Sequence, residues 1–177
     1  MKKLFSFLVL IPFMNGCLTF NTLSYEIILE DESSGRANVI IRDIRSDAAN
    51  PNEFKEDTTK LFNEYLYGSE VLKSLKEEGK NIYSRRLQVE DEKLNAHIQF
   101  YFDDISQIEN LIFDEGFYYL TLPLADSVVS TNGQIVISDD YKRIFWDKNV
   151  DTLRFEMFSI SFDDGEYHEL AKYYKQK

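Results

Sequence analysis

The sequence predicts an α+β fold, an antiparallel β-sheet built from hairpins with helices packed on one face. Three observations predict it. Period-two apolar alternation recurs in neighbouring pairs of segments joined by turn-forming residues, a capped helical period separates the first two pairs, and no fixed-spacing repeat indicates a solenoid. Hairpins alternating with helices bury one side of a sheet and leave the other wet.

Leu23, Tyr25, Ile27 and Leu29 alternate with Ser24, Glu26 and Glu30, the pattern of a strand with one dry face. Ser33-Ser34-Gly35 turns the chain, and Arg36 to Ile44 supplies the second strand of a hairpin. At Asn50-Pro51-Asn52-Glu53 the period changes: a capping Asn, a Pro at the first helical position and a Glu three residues after the cap satisfy the free amides that open a helix. Phe54, Thr58, Leu61, Phe62, Tyr65 and Leu66 then recur at helical spacing. Gly68 ends this helix, and Ser69 to Glu78 predicts a second, closed by Gly79.

Ile82 to Asp91 and Leu94 to Asp103 predict another hairpin, with Tyr83, Leu87 and Val89 on the dry face of one strand and Leu94, Ala96, Ile98, Phe100 and Phe102 on that of the other. Asp104 with Gln107 reads as the cap of a helix through Ile105, Ile108, Leu111 and Ile112. Strand character returns in Phe117 to Leu122, in Val128-Val129 and in Ile135 to Ile137, the last two flanking an Asn132-Gly133 step that suits a tight hairpin. Ile144-Phe145-Trp146 and Leu153 to Phe162 complete the strands, with a bulge where the apolar phase slips between Met157 and Phe158. Glu166 to Lys175 predicts a closing helix whose dry side is Tyr167, Leu170, Ala171 and Tyr174 and whose last turn is basic.

The first residues carry a different message. Lys2 and Lys3 precede an apolar run from Leu4 to Met14, and Asn15-Gly16 leads into Cys17, the one cysteine of the chain. This is the layout of a bacterial lipoprotein signal over residues 1–16, cleaved between Gly16 and Cys17 and lipidated at Cys17. The 11 residues of the run are too few to span a bilayer, which takes about 20. An ordinary cleaved signal has the same three parts, so the cysteine directly behind Gly16 decides for lipidation. Two or three acyl chains hold a protein where one binds only reversibly. Residues 17–22 then form the lipidated cysteine and a short tether, and residues 23–177 a single α+β domain close to the bilayer.

Composition fits that domain. The chain has 177 residues and a net charge of −11, enough for one core and short of two. Without Lys2 and Lys3 the body is more acidic still, which argues against nucleic acid or electrostatic docking on anionic lipid. With Cys17 committed, neither a disulfide nor a thiolate metal site remains.

Chemistry is sparse. His97 lies on the polar face of its strand and His168 in the closing segment, too far apart in sequence to suggest a metal site or a triad. Asp103-Asp104, Asp139-Asp140 and Asp163-Asp164 flank strands as caps and turns, and none has the spacing of a calcium loop. Arg85, on the apolar side of its strand, is expected at a sheet edge or beside a carboxylate. Nucleophile elbows, phosphate loops and dinucleotide fingerprints are missing from the sequence. Eleven Tyr and fourteen Phe leave room for an apolar groove between sheet and helices.

The run LPLADSVVSTNGQIVISDDYKRIFWD from Leu122, with a strand leading into Phe102-Asp103-Asp104 upstream, resembles the LppM-like family of bacterial lipoproteins. There a Leu-Pro is followed by a short strand, an Asn-Gly turn, another strand and a Trp closing a third. The resemblance implies an envelope-anchored α+β domain with no catalytic residues to carry over.

The expected function is therefore a membrane-anchored lipoprotein of the cell envelope, in the inner or outer membrane, with its domain in the periplasm or outside the cell. Its role is non-catalytic, binding or structural, with no cofactor and no metal. Its partners are the membrane, through acyl chains on Cys17, and an envelope protein. The alternative is a carrier of an apolar ligand, a lipid or peptide, in a groove between sheet and helices.

Overall fold

A computed structural model describes residues 18–162 and 167–174. Of these, 48% lie in strands and 21% in helices, so the chain is mostly antiparallel sheet with two helices rather than an even mixture. Gly16, Cys17, the signal sequence and Asp163-Asp164 lie outside the described residues.

Six strands form the larger sheet: β2 (Thr22–Leu29), β3 (Gly35–Arg42), β5 (Lys80–Glu90), β6 (Lys93–Phe102), β9 (Val128–Thr131) and β12 (Thr152–Met157), in the order β5-β6-β3-β2-β12-β9. Every pairing in it is antiparallel. The predicted hairpins are β2–β3 and β5–β6, with Leu23 opposite Ile41 and Leu87 opposite Ala96. Local alternation sets this register, because a one-residue slip would turn Tyr25 and Val39 into water.

A four-stranded sheet is made of β7 (Ile112–Asp114), β8 (Phe117–Pro123), β10 (Gln134–Ile137) and β11 (Tyr141–Asp147), in the order β10-β11-β8-β7. Its inward residues Tyr118, Leu120, Ile144 and Trp146 are buried, as are Tyr25, Ile27, Leu153 and Phe155 of the larger sheet. Tyr25 stacks on Phe155 with ring centroids 4.9 Å apart, and Trp146 lies 5.9 Å from the same ring. Part of the dry face expected under helices is thus covered by a second sheet. Strand pairing at such distances in sequence leaves no mark in local periodicity.

The helices sit at the other end of that face. In α1 (Pro51–Thr59) the Asn50 side chain accepts from the amides of Asn52 and Glu53, as the cap motif predicts. The helix runs on through a π-helical stretch, Lys60–Tyr65, that buries Leu61, and α2 (Ser69–Glu77) follows. Gly68 is required at the junction, since a Cβ there would stand 2.4 Å from the Glu64 carbonyl oxygen. Leu61, Leu66, Val71 and Leu75 face Ile82, Leu87, Ala96 and Ile98 across a narrow cleft.

A third sheet joins β1 (Leu18–Thr19), β4 (Arg45–Ser46) and β13 (His168–Glu169), with β4 in the middle. Leu18 and Thr19, expected within the tether, are therefore paired strand residues.

Four further expectations are corrected. After Asp104, whose carboxylate accepts from the Ser106 amide, only one 3-10 turn forms, Ile105–Gln107. The left-handed backbones of Glu109 (φ 49°) and Asn110 (φ 55°) stop it, while Ile108 and Leu111 still reach the core. The closing segment is the strand β13 and a 3-10 turn, Ala171–Tyr173, not an α-helix. On β5 the register shifts between Ile82 and Ser84, so Ile82 faces Phe100 and Tyr83 packs against outward-facing Tyr101 at 4.7 Å.

Asn132-Gly133 is the fourth, because it does not close a hairpin but carries the chain from β9 in the large sheet to β10 in the small one. Asn132 Oδ1 accepts from Trp146 Nε1 and from the Arg154 amide, each at 2.8 Å, and its Nδ2 donates to the Thr152 carbonyl at 2.8 Å. One side chain fastens the two sheets together. A Cβ on Gly133 would lie within 2.8 Å of Ile144, Phe145 and Trp146, so glycine serves close approach here rather than a turn. The slip expected between Met157 and Phe158 falls one residue earlier, as a register shift between Glu156 and Met157, with Phe158 following at φ 69°.

Candidate functional site

Three surfaces among the described residues bear on the expected chemistry. On the outer face of the large sheet, side chains of all six strands enclose a polar depression of about 440 Å³. Its centre is a chain of contacts: Gln99 Nε2 donates to Asn38 Oδ1 at 2.8 Å, Asn38 Nδ2 to Glu26 at 3.0 Å, and Arg154 Nε to Glu26 at 2.9 Å. The bonds from Asn38 and Arg154 hold the Glu26 carboxyl below its ordinary range. These groups satisfy one another, as the cover of a solvated sheet does.

His97 and Ser24 share this face, and both Ser24 Oγ and His97 Nε2 are buried without a partner among the described residues. They do not form a nucleophile and base. Register places Ile40 between them, with Ser24 on one neighbouring strand and His97 on the other, a separation of two strand spacings or about 10 Å. Burial and the Arg86 charge push the His97 pKa down, so the ring is neutral near pH 7.

The second surface is the cleft expected between sheet and helices. It holds about 50 Å³ and is lined by Leu61, Leu66, Val71, Leu75 and neighbouring sheet residues, without phenylalanine. That is room for very little. Arg85 closes it: from the edge strand β5 its guanidinium donates to the carbonyls of Tyr65 (2.9 Å) and Gly68 (3.0 Å), so its partners are carbonyls at a helix end, not a carboxylate.

The third lies on the outer face of the small sheet. Thr121, Tyr119 and Phe117 of β8 stand opposite Arg143, Phe145 and Asp147 of β11, with Ile112 of β7 beyond Tyr119. Phe117, Ile112 and Val136 are exposed. At one end a groove of about 560 Å³ is lined by Ile112, Tyr119, Leu122, Pro123, Tyr141 and Arg143. The Arg143 guanidinium lies 5.0 Å from the Tyr119 ring centroid and 4.6 Å from that of Tyr141, while its Nε donates to Thr121 Oγ1 at 2.9 Å. Two rings and a hydroxyl fix this cation in place.

Glu109 borders the same groove. The buried Tyr25 hydroxyl donates to its carboxylate. Burial raises the Glu109 pKa against that bond, and burial with the neighbouring carboxylate pushes the Tyr25 phenol up. The pair links the large sheet to the left-handed turn that walls the groove.

Of the residues singled out in the sequence, His168 contacts the Ala48 carbonyl at 3.1 Å and lies edge-on to Phe54, Asp104 caps its turn, and Asp139-Asp140 form the β10–β11 turn. No cluster of metal-ligating residues occurs among the described residues, and no helix among them is long and apolar enough to cross a membrane. Sequence reading missed Arg143 and its two tyrosines. The signal was available in the alternation of Thr121 with Tyr119 and of Arg143 with Tyr141, but their pairing needed the β8–β11 register.

No family model, curated protein or solved structure matches the chain.

Proposed function

We propose that the protein is a lipid-anchored binding module of the bacterial cell envelope, held through acyl chains on Cys17 and without catalytic activity. In this reading the helices cover one end of a single sheet face, the second sheet covers the rest, and the outer face of the small sheet meets an envelope protein. One observation carries it: Phe117, Ile112 and Val136 are exposed on a face that no other element covers among the described residues. Apolar patches rimmed by polar groups mark interaction surfaces. The lipoprotein layout of residues 1–17 and the resemblance to LppM-like lipoproteins point to the same place in the cell.

The anchor and the face are tested together. Cells fed a clickable palmitate analogue should label the wild type and not Cys17→Ser. A photocrosslinking residue at Phe117 should then capture one discrete envelope protein, and the same residue at Gln88, on the polar face, should not. Equal labelling of Cys17→Ser defeats the anchor; equal capture from both positions defeats the face.

A further inference from the structure

The most cationic feature of the exposed small-sheet face is Arg143, which makes no ion pair with any described residue although acidic side chains outnumber basic ones by 31 to 20. Its Nε is engaged by Thr121, which leaves the two terminal nitrogens, the fork that grips a carboxylate. The groove beside it is mostly apolar, floored by Tyr119, Leu122 and Pro123 and walled by Ile112 and Tyr141, with the carboxylates of Glu109 and Asp140 also in its lining. At about 560 Å³ it falls within the range of small-molecule sites.

We propose that this groove binds a single-chain amphiphile with one carboxylate, a long-chain fatty acid in chemical class, with Arg143 as the headgroup anchor. Charge selects the head: a fixed guanidinium lacking a carboxylate partner complements one anion. The lining selects the tail. Around Arg143 it is mostly apolar side chains, Ile112, Tyr119, Leu122, Pro123 and Tyr141, which reward a hydrocarbon chain by burial, whereas an extended peptide would pair along the β8 edge beyond Tyr119, where β7 ends. An acyl chain has nothing to satisfy, and each methylene buried adds about fourfold in affinity. Glu109, at the border, is engaged by Tyr25. The inference rests on the binding-module reading and names a ligand for the same face.

The test is photolabelling of the full-length protein in phospholipid nanodiscs by a diazirine-bearing palmitic acid, with the label mapped by peptide mass spectrometry. Label should fall on the segments holding Ile112, Pro123 and Tyr141. It should drop about tenfold in Arg143→Met, the loss expected of one charge-assisted bond, and partly recover in Arg143→Lys. On the wild type the methyl ester of the probe should label about tenfold less than the acid, which needs no variant to fold. Equal labelling by acid and ester, label elsewhere on the chain, or an undiminished signal in Arg143→Met overturns the proposal. Stronger labelling by a diazirine phosphatidylglycerol overturns the carboxylate class. If Phe117 crosslinks capture a partner while the acid labels nothing, the ligand falls and the binding module stands.

Discussion

On the large sheet the outward side chains Glu26, Asn38, Gln99 and Arg154 bond to one another, whereas the outward row of the small sheet is Phe117, Tyr119 and Phe145 with Arg143 among them. Both faces belong to antiparallel sheets packed on one core. Their difference shows that polarity alone does not mark a site. A polar face whose groups are mutually satisfied gains little from a partner, while an apolar face with one unneutralised cation gains by being covered.

The largest way to break this contrast is to separate the sheets. Asn132→Ala removes three side-chain hydrogen bonds and strands the Trp146 indole N–H, which should cost about 2–4 kcal/mol. A urea titration should show the midpoint fall accordingly, with Trp146 fluorescence moving toward that of a wetter ring.

Next comes the pair that bridges them. The folded pKa of Glu109 is raised by burial, so below the unfolded value of 4.5 both states are protonated and the group's contribution to stability is full. That contribution is lost as pH rises through the folded pKa. Glu109→Gln keeps an acceptor for Tyr25 and removes the titration. Its stability relative to the wild type, measured by denaturant midpoints from pH 4 to 8, should therefore rise with pH; a constant difference would contradict the buried carboxyl.

Two smaller effects sharpen the comparison. Glu26→Ala should cost about 1 kcal/mol or less, because both partners of the Arg154 pair are substantially exposed, and should leave binding by the small sheet unchanged. Phe117→Ser should alter stability by less than about 0.5 kcal/mol, since the ring is 46% exposed. Its effect should appear in partner capture from a crosslinker at Phe145.

Much of the fold was legible wherever partners are near in sequence. The β2–β3 and β5–β6 hairpins and the Asn50-capped helix follow from alternation and capping chemistry, which act within a few residues. The turn at Asn132-Gly133 was not. The same dipeptide closes hairpins and fits close approach, and only the choice of partner by β9 and β10 tells them apart. The segment after Asp104 failed differently: Ile105, Ile108 and Leu111 have helical spacing and are all buried, but a 3-10 turn followed by two left-handed residues satisfies that spacing equally well. The groove was the least legible part. Tyr119, Thr121, Tyr141 and Arg143 belong to two strands whose alignment local periodicity does not encode.

Leu18–Thr19 and His168–Glu169 flank the same two residues, Arg45–Ser46, from opposite sides. The first and last strands of the described chain are therefore about 10 Å apart, two strand spacings. Both run antiparallel to β4, and new ends opened at the exposed Asp139-Asp140 turn would leave this central rung intact. The architecture is closed on itself like a belt with its buckle at β4, and its loops are free to be cut elsewhere.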